Sequence, residues 1–192
     1  AVLAARDLPL EHARRALELA AAHDLHVNCY LHDRLYVARL GRRAQASVAK
    51  DGLDAEPVGD LLAFLERDPV KLLLIGLAPA CDAFKAALEA ACAGLPAPPL
   101  VVRSEPEYVE VLGHGAHKGS GLLRACAAAG LEPAQVVAFG DGLNDLELLE
   151  AAGLGVAMGN AHPEVRARAE RVIGHHDTDA LAVALAEIFD LL

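Results

Sequence analysis

The chain of 192 residues is 54% hydrophobic but only 4% aromatic and has no tryptophan, so its core must consist mainly of alanine, leucine and valine. Its 27 acidic and 17 basic residues give a formal charge of −10, which disfavours binding to the negatively charged backbone of nucleic acids. No uncharged apolar run approaches the roughly 20 residues of a membrane-spanning helix, and no basic-then-apolar signal opens the sequence.

The first part of the sequence mixes helices with hairpins. Residues 9–23 have a proline in the first turn and apolar residues at helical spacing, which predicts a helix. Residues 27–40 alternate around the polar turn His32-Asp33-Arg34, which predicts a hairpin. The further predicted elements are helices near 42–50 and 58–66, a strand at 71–75, a helix at 81–92 and strands at 100–103 and 108–112. This mixture indicates a small α+β domain.

After His114 helices and strands alternate regularly. The predicted elements are a helix at about 119–129 that ends at Gly130, a strand at 136–139, a loop at 140–144, a helix at 145–152, a strand at 155–158, a helix at 163–170, a strand at 171–173 and a helix at 178–191. Alternation of this kind implies parallel strands joined by right-handed crossovers, so the overall class is α/β. Three strands are few for a doubly wound sheet, whose central strands need neighbours on both sides.

The spacing of the four cysteines does not indicate a shared disulfide, redox or metal-binding function. Cys29, Cys81, Cys92 and Cys126 are scattered, without Cys-x-x-Cys or metal-ligand spacing. Three of them lie in alanine- and leucine-rich segments, which is typical of small buried hydrophobic residues. A reducing, cytoplasmic location is therefore expected.

The sharpest chemical signal lies in residues 136–145, where an apolar strand runs into a glycine-flanked acidic loop and then a helix. Ligands of open α/β sheets bind at the carboxyl ends of strands, and the spacing places Asp141 at such an end and Asp145 in the first helical turn. Two carboxylates about 4–6 Å apart would repel each other by roughly 3–4 kcal/mol at an effective dielectric constant of about 20. A Mg²⁺ ion would remove that repulsion. A hairpin turn at Asp141-Gly142 and a simple helix cap at Asp145 remain alternatives.

Upstream, Lys118 stands at a predicted helix start between His117 and Gly119. A lysine in this position can offer a point charge to a phosphate bound at a neighbouring strand end, although helix-start lysines are more often solvated surface residues. His114 and His117 lack acidic or cysteine companions, which favours ordinary loop residues over metal ligands.

Two further patterns argue weakly for function. The glycines at positions 153, 155 and 159 are spaced somewhat like a dinucleotide-binding loop, but they follow a helix and enclose a strand, whereas that loop follows a strand and opens a helix. The one Asp-x-Asp of the chain, at 177–179, lies after the last predicted strand, where Asp and Thr commonly cap helices.

Three segments together resemble motifs of the haloacid dehalogenase-like superfamily. Residues 140–145 resemble its fourth motif, and residues 155–161 resemble the segment that follows this motif in the Cof-type sugar-phosphatase branch. Residues 117–119 are similar to the third motif, with Lys118 as the family lysine. The resemblance implies that residues 113–192 are the C-terminal part of a Rossmann-like catalytic core and residues 6–112 an α+β cap.

The resemblance also implies a reaction. In this family an aspartate of an Asp-x-Asp motif attacks a phosphomonoester, and water hydrolyses the aspartyl-phosphate that results. Asp141 would be a Mg²⁺ ligand, and Asp145 would act nearby through water or by orienting the loop. Lys118 would steady the phosphoryl group, and Asn144 would bind phosphate or Lys118. The expected partner is a small phosphorylated metabolite, with the cap closing over its leaving group.

The departures from the family pattern set the remaining expectations. The first motif, with its Asp-x-Asp, and the second, with its phosphate-binding Ser or Thr, are missing, and both should precede Ala1. Leu148 replaces a usual Met, which conserves volume. Without flanking strands, strand 136–139 should expose an apolar edge, so the isolated chain is expected to be poorly soluble and inactive. A non-catalytic metal- or ligand-binding regulatory module on the same fold is the alternative, and a nicotinamide-dependent oxidoreductase is a more distant one.

Overall fold

A computed structural model of the chain describes residues 5–189, except for the side chain of Asp51. Within this range the chain divides into two compact units, residues 5–116 and 117–189. The boundary expected from the sequence lies between residues 112 and 113. In the structure, residues 113–116 belong to the first unit. None of the helices within residues 5–189 is long and apolar enough to cross a membrane.

The first unit is a six-stranded mixed sheet with helices. Its elements in chain order are α1 (Leu10–Ala22), β1 (His26–Leu31), β2 (Arg34–Val37), α2 (Arg42–Asp51), β3 (Ala55–Pro57), α3 (Leu61–Phe64), β4 (Lys71–Ile75), α4 (Ala78–Ala91), β5 (Leu100–Glu105) and β6 (Tyr108–Leu112). The strand order is β3-β2-β1-β4-β6-β5, and only β2 and β3 are parallel. The predicted hairpin is confirmed as β1 and β2, and His32 in its turn has a positive φ of 53°.

The core of this unit is built from leucine, alanine and valine, with one fully buried phenylalanine. Phe84 and Leu88 of α4 pack with Leu17 of α1 and with the apolar face of the central strands, including Leu72 and Leu74. The composition had predicted a core with few aromatic residues, which agrees with this packing. The buried alanines of α1 let neighbouring side chains pack close to the helix backbone.

The prediction for the first unit differs from the structure in two details. The helix expected near residues 58–66 is a single turn, Leu61–Phe64. It begins where Asp60 accepts from the backbone N–H groups of Leu62 and Ala63, and it ends at Leu65, whose backbone is extended. The strand Ala55–Pro57 was not predicted. Its alanine, glutamate and proline carry no alternating apolar signal, and only pairing with β2 defines it.

The second unit alternates helices and strands as predicted. Its elements are α5 (Lys118–Ala129), β7 (Val137–Gly140), α6 (Leu146–Ala151), β8 (Leu154–Ala157), α7 (Pro163–Arg168), β9 (Arg171–Val172) and α8 (Ala180–Ile188). The strands are parallel in the order β7-β8-β9, so β7 is an edge strand of the sheet formed by residues 117–189. α5 ends, as expected, at Gly130 in the left-handed conformation with φ 67°. The end of the last predicted helix, residues 190–191, lies outside the described residues.

All four cysteines are free and buried, three in the first unit and Cys126 in the second. Burial raises the pKa of Cys29 to about 11, which keeps this thiol protonated and unreactive at neutral pH. The prediction that three of the four cysteines are small buried hydrophobic residues agrees with this arrangement, and the fourth is buried as well.

Candidate active site

The site begins with a close approach between α5 and α6 in the second unit. Gly119, at the second position of α5, is buried, and a Cβ atom there would lie 2.3 Å from the carbonyl oxygen of Glu147. Only glycine allows the two helix backbones to pack this closely. The neighbouring residue, Lys118, is thereby held beside the loop that leads into α6.

Lys118 forms an ion pair with Asp145 in that loop. Its Nζ donates to Oδ1 of Asp145, while Oδ2 accepts from the backbone N–H groups of Asp141 and Gly142, each at 3.0 Å. Asp145 is only 6% exposed, whereas half of the Lys118 side chain is accessible. Both oxygens of the buried carboxylate are therefore satisfied by groups of the chain itself.

These contacts decide the ionisation of Asp145. Burial by itself raises the pKa of this carboxyl, but the hydrogen bond from Lys118 and those from the Gly142 and Asp141 N–H groups lower it more. The net pKa lies below the usual 3.8, so Asp145 is ionised at neutral pH.

The loop turns sharply between β7 and α6. A Cβ atom at Gly140 would lie 2.5 Å from Cβ of Asp145, so the strand end and the Asp145 side chain can meet only because residue 140 is glycine. A single 3-10 turn over Leu143–Asp145 follows, and Oδ1 of Asn144 lies against Gly142, at 2.6 Å from where a Cβ atom would be. Neither hairpin nor simple cap describes this loop, because a helix follows and the Asp145 side chain reaches back to the strand end.

Asp141 differs from Asp145 in exposure and in partners. It is exposed, and its Oδ2 accepts a hydrogen bond of 3.3 Å from Nδ2 of Asn160. Its carbonyl oxygen accepts from the backbone N–H of His162 at 2.9 Å. Asp141 takes part in none of the ion pairs formed within residues 5–189.

The structure thus brings Lys118, Asp145 and the backbone of Asp141 together, with Asn144 in the same loop. It changes the electrostatic argument made from the sequence, since Lys118 and two N–H groups compensate Asp145. Of the two aspartates of this loop, exposed Asp141 is the one that forms no ion pair among the described residues. An exposed carboxylate at the carboxyl end of a strand fits an oxygen-preferring cation such as Mg²⁺.

Sequence reasoning assigned no role to Asn160. This residue follows β8, whose carboxyl end lies beside that of β7 because the two strands are parallel neighbours. The residue was inside the segment 155–161 that resembled the family, so position after a neighbouring strand could have identified it.

The remaining candidates lie outside this constellation. His117 caps α5 by accepting from the N–H of Ser120, and Nδ1 of His114 lies 3.0 Å from the carbonyl oxygen of Pro98. Gly155 lies within β8, which does not match a loop between a strand and a helix. Asp179 is the residue before α8, but the side-chain contact there comes from Thr178, whose Oγ1 accepts from the N–H of Ala180.

Substitution of Gly119 by alanine should disrupt the approach of α5 to α6. The new methyl group meets a backbone carbonyl, which cannot rotate away, so we expect a loss of roughly 1–3 kcal/mol in the free energy of unfolding. The matched control is Gly121→Ala in the same helix, where a Cβ atom meets nothing within 4 Å. This variant should gain roughly 0.5–1 kcal/mol. Thermal unfolding followed by circular dichroism measures both, and equal effects would contradict the proposed packing.

The lowered pKa of Asp145 predicts a pH-dependent effect of Asp145→Asn. A carboxyl with a depressed folded-state pKa stabilises the fold above its unfolded-state pKa, and this contribution disappears as the pH falls through the folded-state value, below 3.8. At neutral pH we expect a loss of roughly 1.5–3 kcal/mol, as for hydrogen bonds to charged groups. Urea unfolding should show the difference shrinking in acid, with exposed Asp33→Asn as the control. A constant difference at every pH would disprove the assignment.

Curated relatives match part of the chain. It is 49% identical over 76 residues to the pyridoxal phosphate phosphatase YbhA of Escherichia coli, a match that covers 40% of this chain and 28% of that protein. It is 44% identical over 73 residues to the phosphoglycolate phosphatase of Methanopyrus kandleri, covering 38% of this chain and 32% of that protein. The chain thus spans about a third or less of the length of these relatives.

Solved structures match nearly the whole chain. A haloacid dehalogenase-like hydrolase from Bacteroides thetaiotaomicron superposes with a TM-score of 0.81 and 28% identity over 96% of this chain and 68% of the other. The subclass IIB sugar phosphatase BT4131 superposes with a TM-score of 0.84 over 100% of this chain and 70% of the other, and its 18% identity supports a common fold alone. The sequence model of a family described as "haloacid dehalogenase-like hydrolase" matches residues 1–185 of the chain. With almost the entire sequence covered by that match, the chain belongs to the haloacid dehalogenase-like hydrolase family.

Proposed function

We propose that the chain forms the cap and the C-terminal part of the catalytic core of a Mg²⁺-dependent phosphomonoester hydrolase. The observation that carries this proposal is the contact of Lys118 with Asp145 beside exposed Asp141, at the carboxyl end of β7. Lys118 and the two aspartates belong to two motifs that are separated in the sequence. The fold of the second unit places Lys118, on α5, in contact with the loop that contains the aspartates.

Asp141 is the residue we propose as the direct carboxylate ligand of Mg²⁺. When bound, the ion would neutralise part of the negative charge on the phosphoryl group. Asp145, whose two oxygens are both hydrogen-bonded, acts in this proposal by holding Lys118 and the loop, and contact with the metal would run through water. Asn160 donates to Asp141 and orients its carboxylate.

Lys118 is the residue we propose to bind the phosphoryl group. A lysine ammonium group carries three donors, and the half-exposed Lys118 uses one on Asp145, which leaves donors for phosphate oxygens. Asn144, in the same turn, is proposed to hydrogen-bond to phosphate. Phosphoryl transfer depends mainly on positioning and charge stabilisation, which such residues supply.

The proposal assigns no nucleophile to this chain. The aspartyl-phosphate mechanism of the family needs an aspartate on an Asp-x-Asp motif, and the one such pattern here, at 177–179, follows β9. The Asp177 carboxylate faces His175 and His176 instead of Asp141. We therefore propose that these 192 residues alone do not catalyse hydrolysis.

The substrate class rests on the named relatives. One is a pyridoxal phosphate phosphatase and another a phosphoglycolate phosphatase, so both are named for small phosphorylated metabolites. We propose the same class here, without choosing among its members.

The purified 192-residue chain should show no Mg²⁺-dependent hydrolysis of p-nitrophenyl phosphate above the buffer rate. The reason is the lack of an assigned nucleophile, and circular dichroism should show that the chain is folded when assayed. Hydrolysis that depends on Mg²⁺ and persists after an added purification step would show that a residue of this chain attacks the phosphorus.

In the protein that the complete gene encodes, Asp141→Asn should lower Mg²⁺-dependent phosphatase activity at least about 100-fold, comparable to the loss of a charge-stabilising group elsewhere. A screen with p-nitrophenyl phosphate, pyridoxal phosphate and sugar phosphates measures it, and Asp33→Asn in the exposed β1–β2 turn is the control. Unchanged activity and unchanged Mg²⁺ dependence would contradict the metal assignment. Metal binding without any hydrolysis would favour the non-catalytic regulatory module.

A further inference from the structure

The loop between β9 and α8 brings two imidazoles and a carboxylate together. His175, His176 and Asp177 each offer one ligand atom, and these three atoms lie within 4.8 Å of one another. Nδ1 of His175 is 3.3 Å from Oδ2 of Asp177, and Nδ1 of His176 is 3.1 Å from Oδ1 of the same carboxylate. In the part of the chain that the structure describes, no other group of three such side chains is arranged to hold a metal ion.

We propose that His175, His176 and Asp177 form a site for a transition-metal cation such as Zn²⁺ or Co²⁺, separate from the candidate Mg²⁺ site at Asp141. Nitrogen and oxygen ligands at about 2.0–2.1 Å from a tetrahedral zinc ion lie about 3.3 Å from each other. The two nitrogen–oxygen separations in this loop involve different oxygens of the Asp177 carboxylate, so the carboxylate must turn to present one oxygen beside both imidazoles when it ligates the ion. Three protein ligands leave a fourth position for water, as in open zinc sites.

Ligation of a cation through Nδ1 would change the hydrogen bonding of His175. The backbone N–H of Asp177 points at Nδ1 of His175 over 3.3 Å, which requires a lone pair on that nitrogen. The same nitrogen faces a carboxylate oxygen of Asp177, so in this tautomer two acceptors oppose each other. A divalent cation ligated by this nitrogen would displace the Asp177 N–H from the lone pair, and its charge would offset the approach of the carboxylate oxygen.

Besides the contact of the Asp177 N–H with Nδ1 of His175, the loop is held by three hydrogen bonds that do not use the proposed ligand atoms. Oγ1 and the N–H of Thr178 both donate to the carbonyl oxygen of His175, at 2.7 and 3.1 Å. The backbone N–H of His176 donates to Oδ1 of Asn160 at 3.1 Å. A ligand set held in this way loses less conformational entropy when it binds an ion than a mobile loop would.

The ligand types separate this site from the one at Asp141. Imidazole nitrogen suits Zn²⁺, Co²⁺, Ni²⁺ and Cu²⁺, whereas Mg²⁺ prefers oxygen ligands and keeps much of its water. The side chains of His175, His176 and Asp177 are 50%, 58% and 71% exposed, so the ion can enter directly from solvent. The sequence had suggested only a helix cap for this Asp-x-Asp, because it lies after the last predicted strand and just before the final helix.

The test is a Co²⁺ titration of the untagged, chelator-treated chain, followed by visible absorption. Four-coordinate Co²⁺ ligated by nitrogen and oxygen gives visible bands far stronger than those of hydrated Co²⁺. We expect saturation near one equivalent, displacement by Zn²⁺ and no displacement by excess Mg²⁺. His175→Gln and His176→Gln should each weaken binding at least about tenfold.

Two controls connect the signal to this loop. His32→Asn replaces an exposed histidine at a positive φ that asparagine tolerates, and Asp141→Asn removes the candidate Mg²⁺ ligand. Both should bind Co²⁺ like the unaltered chain, whatever the outcome of the phosphatase experiments. The proposal is overturned by a lack of saturable binding, by bands that survive both histidine substitutions, or by near-ultraviolet thiolate charge transfer that assigns the ion to cysteine.

Discussion

Compensation of the buried Asp145 charge is the interaction on which the rest of the candidate active site depends. An ionised carboxylate at 6% exposure is strongly unfavourable unless charged and hydrogen-bonding groups surround it. Here the ammonium group of Lys118 supplies the charge, and the N–H groups of Asp141 and Gly142 supply the hydrogen bonds. Because these donors come from α5 and from the end of β7, satisfying one side chain fixes both elements against α6.

That compensation requires unusually close backbone contacts. Gly119 lets α5 approach α6, and Gly140 lets the end of β7 pass beside the Asp145 side chain. With Asp145 satisfied internally, Asp141 is left exposed at the carboxyl end of the strand, where an oxygen-preferring cation can reach it. Asn160 extends the arrangement, since its amide donates to Asp141 and accepts from the N–H of His176. The proposed phosphate site and the proposed transition-metal site are thus joined through one side chain.

The secondary structure predicted from the sequence agrees with the observed one where the local pattern of apolar and polar residues is strong. The helix–strand alternation after His114 predicted the three parallel strands of the second unit, because buried strands and amphipathic helices have different periods. The edge strand Ala55–Pro57 escaped prediction, since three residues with glutamate and proline show no period. The helix expected near residues 58–66 was predicted too long, since it begins after the Asp60 cap and the backbone is already extended at Leu65.

The sequence by itself determined which chemical groups are present and which loop carries them: a lysine at a helix start, and two aspartates around a glycine turn after an apolar strand. Only the tertiary structure decided that Lys118 pairs with Asp145 and that Asp141 remains exposed. The physical reason is that ion pairing and burial depend on distances between segments separated along the chain. Local periodicity and spacing carry no information about those distances until the helices pack.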